Sequence, residues 1–331
     1  MSKKVHFYVN YKNMVVLEHY MNIIKGALNR NGFVCDDVIS LDGLDKKDLF
    51  FFPMGIDAFK FYFKGYRNFI LWQQGATADE SYLRNHSRLR YRILNFMDCF
   101  SMKKAKMICF CSQYMQTHYE KLSHTSFAPK SYLMPCYNES LAPEFIVKKD
   151  YSKKNFAYVG SLDLWQCFEQ TAALYVQIEQ AFPDAFFKVL TFSVEKAENI
   201  LKSLGAKNYE VKCVAKEQVQ DELKDVVYGF LLREDTIVNR VATPTKLSSY
   251  MSVGIIPIFS DVLDDFYRAS KNMKYVVPVS SMESSDRICE AISNKVDKTA
   301  LQEEYEYFFG SYYGTATHME KMSLLMKGVL K

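Results

Sequence analysis

Short apolar runs alternate with longer amphipathic stretches along almost the whole of this 331-residue chain. The first runs fall at residues 5–10, 33–39, 48–53, 69–73, 107–112 and 131–135, with helical patterns at 14–30, 55–64, 78–104 and 112–122. The pattern restarts with runs at 156–160, 186–192, 209–214, 226–232, 255–259 and 275–279. Helical patterns at 165–181, 194–204, 216–224, 245–253, 262–270 and 284–293 separate them. A strand that is apolar on both faces must be covered on both, and strand–helix alternation supplies that cover in parallel sheets. The chain is therefore expected to be α/β, with two Rossmann-like domains whose parallel sheets face each other across a cleft. Phe50-Phe51-Phe52 suits a buried strand, and an interface between subunits is the other reading it allows.

The polar, Lys-rich bridge from Val147 to Asn155 marks the expected boundary between domains. It separates residues 1–146 from residues 147–309, and residues 310–331 are expected to form a helix that packs back on the first domain. Thirteen Gly and eight Pro are too few for a fibrous or low-complexity chain. No window reaches ~18 apolar residues, so no membrane-spanning helix is expected. Met1 to Asn10 reads straight into a strand without a signal-peptide core, and the eight scattered Cys suit a reducing compartment. The expected location is the cytoplasm.

A net charge of +4 conceals an asymmetry. Residues 1–150 carry 21 Lys and Arg against 14 Asp and Glu, a balance of +7, and the remainder carry 21 against 24. A basic first domain is expected to meet an anionic ligand or surface. Its cations keep company with aromatics in Lys60-Phe61-Tyr62-Phe63-Lys64-Gly65-Tyr66-Arg67, and Arg84, Arg88 and Arg92 would line one face of a single helix. Such a stripe suits the anionic face of a membrane; a plain solvated helix face is the alternative. No nucleic-acid-binding motif accompanies the charge, so nucleic acid is not an expected partner.

Several chemistries lack their residues. No G-x-G-x-x-G follows the first strand, and the sequence holds neither a Walker A motif nor a G-x-S-x-G elbow. Cys109 and Cys111 share one face of an apolar strand and read as core. The six His form no pair at metal-ligand spacing, so neither a metal nor a cofactor is expected.

The most informative stretch runs from Gly229 to Ile258. A buried strand ends at Leu232 and delivers Arg233 to the sheet edge. A polar loop follows, and Thr243-Pro244 then opens a helix. The first turn of that helix offers free N–H groups and partial positive charge, which suit a phosphate. Lys246 stands in the same turn against the dipole preference, as an anionic ligand would require. Gly254 closes the helix. An ordinary strand–loop–helix–strand unit is the competing reading.

Asn239-Arg240-Val241-Ala242-Thr243-Pro244-Thr245-Lys246 resembles the donor-binding region of GT-B glycosyltransferases, especially the bacterial family 4 enzymes of surface polysaccharide synthesis. Asn155 to Leu162 is similar to that family's first donor-domain strand and turn. Trp72 to Ser81 and Met102 to Met115 resemble segments of its first domain. The resemblance implies retaining, metal-independent transfer of a sugar from a UDP- or GDP-type donor to a saccharide acceptor, lipid-linked at the inner face of a membrane. It implies catalytic roles for Arg233, Lys246 and Glu80. Donor contacts would come from Gly160, Ser161, Asn239, Thr243, Thr245 and Ser249, and acceptor contacts from Gln74 and Gly75. Glu80 also reads simply as an acid in a first helical turn. The family's two glutamates around this helix align with Val241 and Ser249, and its basic pair after the Gly160 turn is missing. A non-catalytic GT-B homologue, acting as a binding or partner subunit, is the alternative.

Overall fold

The computed structural model of the chain describes residues 3–9, 14–280 and 285–330. Asn10 and Ser284, at the ends of an expected strand and an expected helix, lie outside the described residues, as do Met1 and Ser2. Two compact units divide the chain: Met1–Cys136 with Tyr313–Lys331, and Tyr137–Tyr312. The Lys-rich stretch 147–155 lies inside the second unit.

The first unit runs β1 (Lys3–Tyr8), α1 (Met14–Asn29), β2 (Phe33–Val38), β3 (Leu49–Phe52), α2 (Gly55–Phe63), β4 (Phe69–Gln73), α3 (Thr77–Asn85), α4 (Arg88–Lys104), β5 (Met107–Phe110), α5 (Gln113–Ser123) and β6 (Ser131–Leu133). Its six strands are parallel, in the order β2-β1-β3-β4-β5-β6. Phe50, Phe51 and Phe52 are fully buried in β3, so the buried-strand reading holds. Cys109 and Cys111 are likewise buried.

The second unit runs α6 (Pro143–Lys148), β7 (Asn155–Val159), α7 (Phe168–Ala181), β8 (Phe186–Leu190), α8 (Val194–Leu204), β9 (Tyr209–Lys212), α9 (Val219–Glu222), β10 (Tyr228–Leu231), α10 (Ile237–Arg240), α11 (Thr245–Ser252), β11 (Ile256–Ser260), α12 (Asp264–Ala269), β12 (Val277–Val279), α13 (Ser285–Ser293) and α14 (Lys298–Ser311). Its strands are also parallel, ordered β12-β11-β10-β7-β8-β9. Chain order reverses between β7 and β10, and at such a switch point the loops diverge and leave a crevice for a ligand. The chain then returns to the first unit as α15 (Thr315–Val329), where Asn31 Nδ2 donates to the Ser323 carbonyl at 3.0 Å and Tyr132 Oη meets His318 Nδ1 at 2.9 Å.

All twelve apolar runs became strands, but the expected helices did not all survive whole: that at 165–181 is interrupted at Cys167, and that at 216–224 is α-helical only over Val219–Glu222. The pattern at 78–104 breaks at His86, which takes a left-handed backbone at φ 51°. Ser87 then caps a new helix by accepting from the Arg90 N–H at 3.3 Å. Arg84 is thus left on α3 while Arg88 and Arg92 belong to α4, and the single three-arginine stripe does not form. Two short helices were not anticipated: α6, opened by Pro143, and α10, capped by Thr236.

A glycine sets the height of α11 over the sheet. A Cβ on Gly229 in β10 would meet the Tyr250 ring at 2.6 Å, so only a bare backbone lets α11 lie this close. The Tyr250 hydroxyl accepts from the Val159 N–H at 3.1 Å and donates to the Phe230 carbonyl at 3.3 Å. The helix is therefore pinned to β7 and β10 together, and its first turn stands over the switch point between them.

Candidate functional site

Arg233 and Lys246 meet on one atom. Arg233 Nη2 donates to Gln166 Oε1 at 2.6 Å, and Lys246 Nζ donates to the same oxygen at 2.7 Å. Arg233 Nη1 also reaches the carbonyls of Gln166 and Leu232, at 3.2 and 2.7 Å. The Arg233 N–H is tied to Ser260 Oγ at 2.8 Å, which fixes the chain where β10 leaves the sheet. Lys246 Nζ lies 5.3 Å from the Tyr158 ring centre. Gly160 turns the backbone away from β7 at φ 136°, and a Cβ there would meet Lys246 Cε at 2.6 Å. That close approach and that φ both demand glycine.

The charge balance at this point is one-sided. Burial lowers the Arg233 pKa from its ordinary value. Burial and the neighbouring Arg233 push Lys246 down to about 7, opposed by Asp163. Asp163 itself is exposed and accepts from Ser161 Oγ at 2.8 Å. A guanidinium and a lysine that gives up its proton near neutrality therefore share a neutral amide, and an entering anion would favour the charged form of both. Beside Arg233 a cavity of about 370 Å³ opens among α7, Glu234, Ser260 and the end of β12.

The other expected donor residues divide into two groups. Gly160 and Ser161 form the turn after β7, with the Ser161 carbonyl accepting from Tyr158 Oη at 2.6 Å. Thr245 opens α11, whose N-terminus has no side-chain cap. Ser249 lies within hydrogen-bond distance of Asn138 Oδ1 at 3.0 Å and of the Thr245 carbonyl at 3.2 Å. Asn239 and Thr243, in contrast, are buried. Asn239 Nδ2 donates to the Glu234 carbonyl at 2.9 Å, which shapes the loop that follows Arg233. Gln166 and Asn138 were missed by sequence reasoning. Gln166 stands six residues after Gly160, where a charged residue was sought and an amide found.

In the first unit Gln74, Gly75 and Glu80 come together at the end of β4. Gln74 Nε2 donates to the Pro53 carbonyl at 3.4 Å, and a Cβ on Gly75 would meet Glu80 Oε1 at 2.6 Å. Burial raises the Glu80 pKa, opposed by Arg84. Beneath them lies a network the sequence did not announce. Tyr119 Oη donates to Asp98 Oδ2 at 3.1 Å, and Gln73 Nε2 donates to the Gly75 carbonyl at 2.7 Å. Burial pushes the Asp98 carboxyl up to about 7.

No protein-family model matches the sequence, and no curated protein matches it. Solved structures do match in three dimensions. Sucrose-phosphate synthase from Thermosynechococcus elongatus superposes with a TM-score of 0.70 at 10% identity, over 99% of both chains. HepE from Anabaena, solved with UDP and glucose, gives 0.64 at 10% identity over 99% of this chain and 100% of that one. An α,α-trehalose-phosphate synthase (UDP-forming) from Burkholderia vietnamiensis gives 0.57 at 10% identity over 97% and 77%. These are similarities of architecture: the chain has the GT-B fold, two parallel α/β units in tandem.

Proposed function

We propose that this chain is a glycosyltransferase that moves a sugar from a nucleotide-diphosphate donor to a saccharide acceptor. One observation carries the reading: Arg233 and Lys246 converge on Gln166 Oε1 at the switch point of the second sheet, without a carboxylate between them. A diphosphate is the anion whose charge and size suit two cations beside an uncapped helix start. In the reaction the bond from the sugar to the diphosphate breaks and the electron pair leaves on a phosphate oxygen. Arg233 and Lys246 stabilise that charge as it develops, with no metal required. Gly160 and Ser161 bring backbone close to the sugar and diphosphate. Asn239 and Thr243 act indirectly, by holding the loop.

On the acceptor side Gln74 and Gly75 shape the contact, and Glu80 is the group to receive the hydroxyl proton. UDP is the first donor base to test, because HepE was solved with UDP and glucose and the Burkholderia synthase is UDP-forming. Retention of configuration and a lipid-linked acceptor rest on the family resemblance.

The test is the thermal stability of the purified protein against UDP, GDP, CDP and dTDP, followed by turnover with the matching sugar donor. A nucleotide at about 100 times its dissociation constant adds about 2.7 kcal/mol, a shift of several degrees. Arg233→Ala should then lower turnover on the order of 100-fold or more. Absence of a shift with every nucleotide would favour a non-catalytic GT-B protein, a reading supported by Ser249, a hydroxyl where family 4 enzymes place a glutamate.

A further inference from the structure

Helix α4 is amphipathic in the inverted sense. Its buried positions are Asn95, Asp98, Ser101 and Met102, three of the four polar, and its solvent side carries Leu89, Ile93 and Phe96, exposed by 71%, 50% and 62%. A helix on a soluble domain ordinarily does the reverse. Positions 89, 93 and 96 stand at i, i+4 and i+7, so the three side chains form one stripe. Phe63 at the end of α2, 67% exposed, extends it. Its ring stacks on Phe100 at 5.4 Å, and Phe100 lies 6.3 Å from Phe96. Single exposed leucines are commonplace, but a continuous apolar stripe across two helices marks an interaction surface.

The charges around the stripe have one sign. Arg88, Arg90, Arg92, Lys103 and Lys104 are exposed on α4, and Lys60, Lys64 and Arg67 are exposed along α2 and just beyond it. Lys104 Nζ and the Arg67 guanidinium lie over Tyr62, 6.0 and 5.5 Å from its centre, so their stems run along aromatic surface. The acids facing this region are withdrawn: Asp98 is buried, and Asp57 on α2 and Asp79 and Glu80 on α3 are half-buried.

We infer that α4, with the end of α2, is a membrane-docking surface that lies in the headgroup layer of a bilayer rich in anionic phospholipid. The apolar stripe enters the acyl boundary while the Arg and Lys heads remain at the phosphates. A second copy of the chain is a poor occupant, since apposing the stripe with itself would crowd arginine against arginine. The inference stands independently of sugar transfer, and its test involves no turnover.

Flotation of the purified protein with phosphatidylcholine vesicles, with and without phosphatidylglycerol, reads it directly. Binding is expected to the anionic vesicles alone and to weaken as salt rises. Replacing Arg88 and Arg92 together by Ala should weaken it about 25-fold, at the usual contribution of a basic residue near such a surface. Replacing Ile93 and Phe96 together by Ser should weaken it roughly tenfold or more, because the buried area is lost. All four side chains are exposed, and an unchanged far-UV circular dichroism spectrum with an unchanged melting temperature establishes that both variants fold. Failure to float with anionic vesicles at low salt overturns the inference. Flotation indifferent to the Ile93 and Phe96 changes overturns it too. So does a dimer, seen by sedimentation velocity, that those changes dissociate.

Discussion

Lys246 should make nucleotide binding depend on pH in a way that can be calculated. Burial and the adjacent Arg233 hold its ammonium near pKa 7, against an ordinary 10.5. A diphosphate at Nζ supplies the missing negative charge, so the pKa must rise in the complex. Above the free pKa the empty site holds a neutral lysine, and binding takes up a proton. Affinity is then flat at lower pH and falls toward tenfold per unit above pH ~7, until the pKa of the complex is reached. If the complex restores the ordinary value, the loss from pH ~7.5 to pH ~9 is about 25-fold. The second ionisation of the UDP terminal phosphate, with a pKa of ~6, is nearly complete by pH ~7.5, so the charge of the diphosphate stays constant above it. Titration calorimetry in two buffers of unlike ionisation enthalpy counts the proton itself. Uptake approaching one proton per UDP is expected in the upper half of the window, and Lys246→Met should abolish both the uptake and the slope. Flat affinity, or proton uptake that survives in Lys246→Met, would refute the reasoning.

Gln166→Glu gives Arg233 and Lys246 a resident counter-ion, so thermal stability should rise while UDP affinity falls roughly tenfold or more; calorimetry on both counts checks it, and tighter UDP binding would contradict it. Gly160→Ala drives a methyl into Lys246 at a backbone angle that resists it, and should lower both UDP binding and stability, the latter by about 1–3 kcal/mol in denaturant titration. Asp98 has its folded pKa raised from 3.8 to about 7, so its contribution is fully favourable below the unfolded value and is lost as pH rises through the folded one. Asp98→Asn should therefore flatten the decline in stability from pH ~4 to pH ~7, a change of a few kcal/mol at most, read from melting curves across that range.

The central strands β3, β4, β5, β10 and β11 were legible because a run buried on both faces must be apolar at nearly every position, a signature that needs no knowledge of its neighbours, whereas the edge strands β2 and β9 are half-exposed and admit Asp, Glu and Lys. The start of α11 was legible for a similar reason: proline, a free helix terminus and a lysine against the dipole are all local features. What could not be read locally was which groups those features would meet. Gln166 lies 67 and 80 residues from Arg233 and Lys246 along the chain, and only the parallel pairing of β7 with β10 brings the three together on one atom. The burial of Asp98 beneath Gly55, Gln73 and Tyr119 is decided in the same way, by packing among distant segments. Helix α4 makes the point most sharply. Periodicity in its sequence defines an apolar face and a polar one, but cannot say which face the rest of the protein will cover. The break at His86 and the packing of α4 on α2 turned Asn95 and Asp98 inward and left Leu89, Ile93 and Phe96 facing outward. Local sequence determines what each element is, because propensity and burial pattern act within a few residues. The partners of each face are chosen only when the chain closes on itself, because hydrogen bonds and charges act between atoms that are near in space.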